Sequence, residues 1–161
     1  MDQRALLQQV EDQYRSAVEV VERTGLAVIV ADGSKGVEPV AFSVGGAKQG
    51  MPDLILYGLR PELAAKTINA AFEVVKANWP FPSKSKFPGV LTNLEIGVRD
   101  ASRSDLLERV MTPTKLYNMR QNLVQTPILQ VCWPDATGKM PYEPGCDSMT
   151  AQAQRIRSLR N

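Results

Sequence analysis

The sequence contains no histidine. That absence excludes the Ser-His and Cys-His nucleophile pairs and every histidine-bound metal centre. There are only two cysteines, Cys132 and Cys146, too few for a disulfide-stapled secreted scaffold or a four-ligand zinc site, so both are expected as free thiols in a reducing compartment. Long apolar runs are also missing: the longest, LAVIVA at 26–31, is far below the roughly 18 residues that a membrane-spanning helix needs. The opening MDQRALLQQVEDQYR mixes acids and glutamines with apolar residues, unlike the uninterrupted core of a signal peptide. A cytoplasmic location with no membrane partner is the expectation. No sign of charge dominates either, since 19 basic against 17 acidic residues leave +2, too little for a protein that coats nucleic acid or anionic lipid. The excess sits in residues 149–161, where Arg155, Arg157 and Arg160 meet no acid.

What is present is a chain of 161 residues, 43% hydrophobic and 22% charged, the size and balance of one globular domain. Leu6, Leu7, Val10, Tyr14, Ala17, Val18 and Val21 recur at three and four residues, the spacing of an amphipathic helix that Gly25 would end in the left-handed conformation. Residues 26–31 read as a strand buried on both faces, closed by a turn at 32–36. Two more strands are expected at 39–44 and 54–57, separated by a glycine-dotted loop at 45–50, which suggests an antiparallel meander. Pro61 and Glu62 open a helix whose apolar stripe is Leu63, Ala64, Ile68, Ala71, Phe72 and Val75, ending near Trp79-Pro80. The proline-rich stretch 80–89 reads as an exposed connection. Leu94, Ile96 and Val98 alternate as a half-wet strand. Ser102 and Asp105 resemble a capping box before Leu106, Leu107 and Val110, giving a short helix that stops by Pro113. A last strand covers 128–133. The order implies a single α+β domain over residues 1–148, a mostly antiparallel sheet with helices packed on one face, followed by a basic tail at 149–161.

Several groups are candidates for binding. In the loop Ser43-Val44-Gly45-Gly46-Ala47-Lys48, glycines would allow backbone N–H groups to converge and Lys48 would add charge, the needs of a phosphate cradle, although the P-loop spacing is absent. Arg60 and Lys66 stand at the start of the second helix, a second place where an anion could be met. Trp133 and Tyr142, in a segment dense in proline and glycine, offer flat surfaces to stack on a planar ring or to seal the core. Asp53, Glu95, Asp100, Asp135, Glu143 and Asp147 are acids available for proton transfer or Mg²⁺, but none shows a metal-loop spacing. Cys132, in an apolar strand, reads as an inert core thiol and Cys146 as the more exposed of the two. Ile156 and Leu159 among the tail arginines suit an amphipathic helix docking on an acidic partner, RNA or another copy of the chain.

The motifs Ala41-Phe42-Ser43-Val44-Gly45, Pro52-Asp53-Leu54-Ile55-Leu56-Tyr57-Gly58-Leu59 and Trp133-Pro134-Asp135 with Gly138-Lys139-Met140-Pro141-Tyr142-Glu143-Pro144-Gly145 resemble the bacterial and phage family called domain of unknown function 4262, in order from about residue 25 to residue 147. The last of the three is the specific one. Family members often carry a histidine directly before the proline of the second motif, where this chain has Met51, so chemistry depending on that histidine cannot operate here. The resemblance implies a single α+β domain with a shared site near the motifs. It supplies no reaction, and it makes the host cytoplasm the location if the chain is phage-encoded.

Three readings of function follow. The first is a non-catalytic binder of a small anionic ligand, a nucleotide or other phosphorylated metabolite, as in sequestering a signal in a phage-host setting. It uses Ser43, Gly45, Gly46, Lys48, Arg60, Trp133, Asp135 and Tyr142 in one strand-end cleft, with no catalytic residue, metal or cofactor, and admits a homo-oligomer. The second is an interaction or inhibitor protein acting through Arg155, Arg157 and Arg160 and the loop at 80–89. The third is an enzyme using carboxylates such as Asp53 and Asp135 with a metal.

Overall fold

Helix α1 (Gln3–Thr24) begins at Asp2, whose carboxylate accepts from the Ala5 N–H at 2.7 Å, and ends at Gly25 with φ 91° and its N–H on the Val21 carbonyl. Both ends satisfy helix groups that would otherwise lack partners. Helix α2 (Pro61–Asn78) has Pro61 in its first turn and Glu62 beside its positive end, as the sequence implies. Helices α3 (Thr112–Arg120) and α4 (Ser148–Ala153) follow. The strands are β1 (Ala27–Ala31), β2 (Val40–Val44), β3 (Asp53–Tyr57), β4 (Ser85–Leu91), β5 (Leu94–Asp100) and β6 (Ile128–Cys132), in one sheet of order β1-β2-β3-β6-β5-β4. This computed structural model describes residues 2–31, 33, 38–102 and 110–154.

Strands β1, β2 and β3 form the expected antiparallel meander, β4-β5 and β5-β6 are also antiparallel, and β3-β6 is parallel. The protein is thus a single α+β domain with a mostly antiparallel sheet. The helices do not share one face. Leu54 and Leu56 of β3, with Leu129 and Val131 of β6, pack on Ala64, Ile68, Phe72 and Val75 of α2. The alternate residues Ile55 and Tyr57 pack with Ala17 and Val21 of α1 and Tyr117 of α3. A central strand that is apolar in both of its alternating sets has no face to leave wet, and each set requires its own cover.

Other expectations change for similar reasons. β1 is an edge strand and is buried at Ala27 but exposed at Val30 and Ala31, so an uninterrupted apolar run here does not mean burial on both faces. The stretch 80–89 is not only a connection, because residues from Ser85 onward belong to β4, the opposite edge, where Pro88 and a register break are tolerated. Residues 46–49 form a short 3₁₀ turn, Gly46–Gln49, within the expected loop. The expected helix through Asp105, Leu106 and Leu107, most of the turn at 32–36, and Ile156, Leu159 and the arginines 155, 157 and 160 lie outside the described residues. The chain from Ser148 onward returns to the body at Gln154, which is fully buried and donates its side-chain amide to the Trp133 carbonyl at 2.8 Å.

Candidate functional site

The expected strand-end cleft divides between two ends of the sheet. β2 pairs antiparallel with β3, setting Val40 against Tyr57, and β3 pairs parallel with β6, setting Asp53 against Ile128. Ser43, Gly45, Gly46 and Lys48 therefore gather at the Asp53 end. Arg60, Trp133, Asp135 and Tyr142 come after the far ends of β3 and β6. At about 3.3 Å per residue, the span of β3 alone separates these groups by roughly 13 Å.

At the first end the glycine turn is already filled, by the protein's own carboxyl group. Asp53 is fully buried. Its Oδ1 accepts from the Ser43 hydroxyl at 2.7 Å and the Gly46 N–H at 2.9 Å, and the Ala47 N–H adds a weaker favourable influence on the charged form. The Ser43 hydroxyl oxygen in turn accepts the Leu54 N–H at 2.8 Å. Thr114 of α3 donates to the Ser43 carbonyl at 2.7 Å and fastens that helix to the same strand end. Glycine is required at 46 because a Cβ there would lie 2.7 Å from the Pro52 carbonyl oxygen and 2.8 Å from Asp53 Oδ1. The converging amides expected to cradle phosphate thus hold an internal anion. Burial pushes Asp53 up to about 6 against the opposing effect of these hydrogen bonds, while its Oδ2 has no hydrogen-bond partner among the described residues.

Lys48 is exposed at the turn's surface. Asp53 is the functional-looking residue that the strand pattern leaves among six interchangeable acids. Its signal was the acid opening Asp-Leu-Ile-Leu-Tyr, a strand apolar on both alternating sets, where a carboxyl cannot reach water and must find internal donors.

At the other end the aromatic groups seal the body. The Trp133 indole N–H donates to the Tyr57 carbonyl at 2.8 Å, and its backbone N–H donates to Gln154 Oε1 at 2.9 Å. Gly58 lies beneath it at φ 90°, where a Cβ would sit 2.9 Å from the indole ring. Replacing Trp133 by phenylalanine removes the indole bond and part of the packing, and is expected to destabilise by about 1–3 kcal/mol in chemical denaturation.

Asp135 accepts from the Thr137 N–H and hydroxyl and the Lys139 N–H on Oδ1, and from the Asp147 N–H on Oδ2. These bonds, that from Asp147 foremost, hold it well below the usual carboxylate range. Asp135 is therefore the tie of its own loop. Tyr142 packs with Cys132 and Met140 over Gly97, where a Cβ would collide with the Tyr142 hydroxyl oxygen. Burial raises the phenol above its ordinary range. Arg60 is exposed at the start of α2.

Cys132 is fully buried and pushed up by burial to about 12, whereas Cys146 is half-buried. A thiol so held is not a nucleophile near neutral pH. Asp53 and Asp135 stand at opposite ends of the sheet, and among the described residues no three Cys, Asp or Glu side chains converge as metal ligands. No helix among them is long and apolar enough to cross a membrane.

No curated protein and no solved structure matches the chain. The family model described as "Domain of unknown function (DUF4262)" matches residues 20–147, which include the glycine turn, Asp53 and the Trp133–Asp147 loop. The chain belongs to the DUF4262 family.

Proposed function

We propose that this is a non-catalytic binding protein that engages its target through its outer surface rather than in a strand-end cleft. The observation carrying this reading is the internal use of the reactive groups: Asp53 closes the glycine turn, Asp135 ties its own loop, and Cys132 is a buried thiol. What remains accessible is the means of contact. The sequence adds a basic segment with Arg155, Arg157 and Arg160, a handle for an acidic partner. The test compares the intact chain with an Arg155→Glu/Arg157→Glu/Arg160→Glu variant in affinity capture. A partner held by the first and lost by the second, with the fold unchanged by circular dichroism, supports the reading. Equal capture by both removes the tail from it.

A second reading, a small anionic ligand, is favoured by one feature between the end of α1 and α2. A polar hollow of about 210 Å³ is bordered by Gly25, Gln49, Asn69, Glu73 and Lys76, with Lys76 ion-paired to Glu73 at 3.6 Å; it is below the 300 Å³ or so of ordinary ligand pockets, so only a small anion that takes the place of Glu73 on Lys76 suits it. Thermal unfolding against inorganic phosphate, nucleotides, cyclic dinucleotides and divalent metals separates the two readings. A ligand at 100 times its dissociation constant adds about 2.7 kcal/mol. Surface binding predicts no selective shift from the panel, whereas a shift of several degrees that disappears in Lys76→Ala would restore the small-ligand reading.

A further inference from the structure

We propose that β1 is a self-association edge that pairs antiparallel with β1 of a second copy, about a twofold axis at Ile29. β1 ends the sheet, so among the described residues its outer backbone groups meet no further strand. Edge strands are normally blunted by a charge, a proline or a bulge. The two edges of this sheet differ in that respect. β4 carries Lys86, Pro88, Gly89 and a register break between Phe87 and Leu91, whereas β1 is Ala-Val-Ile-Val-Ala in unbroken register with β2. One edge is guarded and the other is open.

The occupant is specified by self-complementarity. Ala-Val-Ile-Val-Ala reads the same in both directions, so antiparallel pairing about Ile29 sets each Val28 against Val30 of the partner subunit and covers a Val30 that is 41% exposed. Helix α1 packs on the sheet face beside this edge. Its outer flank, with Asp12, Ser16 and Val20, borders a groove of about 260 Å³ whose other wall includes Ala27 and Ile29. Arg23 lies on that flank too, since eleven residues at 100° each return to within about 20° of the same direction, and both Asp12 and Arg23 are exposed. The twofold axis runs the two α1 helices antiparallel and brings Asp12 of each copy towards Arg23 of the partner subunit. The contact therefore contains two equivalent opposite-charge pairs, which an unrelated strand would not supply.

The test is sedimentation equilibrium of the full chain from micromolar to millimolar concentration. The expected result is a species near twice 17.7 kDa that dissociates on dilution. Val30→Lys places a charge at the seam, and Arg23→Asp sets acid against acid at two equivalent points; each should weaken the dimer by about tenfold or more. The exchanged variant Asp12→Arg/Arg23→Asp should recover the wild-type dissociation constant to within about threefold, because it restores both pairs. All of these positions are solvent-facing, and circular dichroism with thermal unfolding verifies that each variant is folded. A monomer at every concentration, or a dimer unaffected by Val30→Lys, overturns the proposal. An exchanged variant that stays as weak as Arg23→Asp overturns the twofold pairing.

Discussion

Between pH 7 and pH 4 the wild-type protein is expected to gain about 2–3 kcal/mol of stability relative to its Asp53→Asn variant. The sign follows from linkage. The folded-state carboxyl of Asp53 is pushed up to about 6 by burial, from an ordinary value of 3.8. The folded state therefore holds a proton that the unfolded state releases, and this contribution is fully present below 3.8 and lost as pH rises through 6. One pKa unit corresponds to about 1.4 kcal/mol, and the gap between the two values sets the size of the effect. The side-chain amide of the Asp53→Asn variant cannot titrate, so subtracting its profile isolates Asp53 from the other acids. Those acids act in the opposite direction: Asp135, Glu143 and Glu11 are held below their usual range by hydrogen bonds or ion pairs, and their contributions are lost as pH falls. Urea unfolding of both proteins at half-unit pH intervals measures the difference. Parallel profiles would show that burial does not outweigh the hydrogen bonds on Asp53 and that its carboxyl titrates alike in the folded and unfolded chain.

Gly46→Val is expected to lower stability by about 3–5 kcal/mol at neutral pH, a fall in Tm of roughly 10 °C for a chain of this size. The new Cβ would stand within 3 Å of the Pro52 carbonyl oxygen and of Asp53 Oδ1, one of them main chain, so it cannot be relieved by a simple change of rotamer. Moving the turn outward would open the bond from Gly46 to Asp53 and leave a buried carboxyl underpartnered. Gly50→Ala is the control. Gly50 has a left-handed φ of 71° but nothing within 4 Å of its would-be Cβ, so only conformational strain of about 1–2 kcal/mol is expected. Equal effects at the two positions would mean that the turn is held by its backbone conformation alone.

Much of the fold was legible because it is locally encoded. Periodicity and the Gly25 stop specify α1, Pro61 and Glu62 specify the start of α2, and three closely spaced apolar runs specify the meander. α3 was not legible, since Thr-Pro-Thr-Lys-Leu-Tyr-Asn-Met-Arg has no apolar stripe and is fixed by Tyr117 in the core and by Thr114 on Ser43. β4 hid behind prolines that an edge strand tolerates. The division of the expected cleft was beyond local reading for a different reason. Which strand ends coincide depends on the parallel pairing of β3 with β6, whose partners Asp53 and Ile128 are far apart in sequence. The motif residues were recognisable as groups, but whether glycine amides face a ligand or an internal carboxyl depends on where Asp53 points.

That orientation is the central claim: the glycine turn holds the protein's own carboxyl in the place where a bound phosphate was expected. NMR titration of the Asp53 carboxyl carbon together with the Gly46 and Ala47 amides, with and without added inorganic phosphate and nucleotides, measures it directly. The predicted result is a carboxyl that titrates near 6, two amides that follow the same midpoint, and no response of either amide to phosphate or nucleotide. A carboxyl titrating in the ordinary aspartate range, with amides that ignore it and shift on adding phosphate, would contradict the account and return the turn to the role of an anion site.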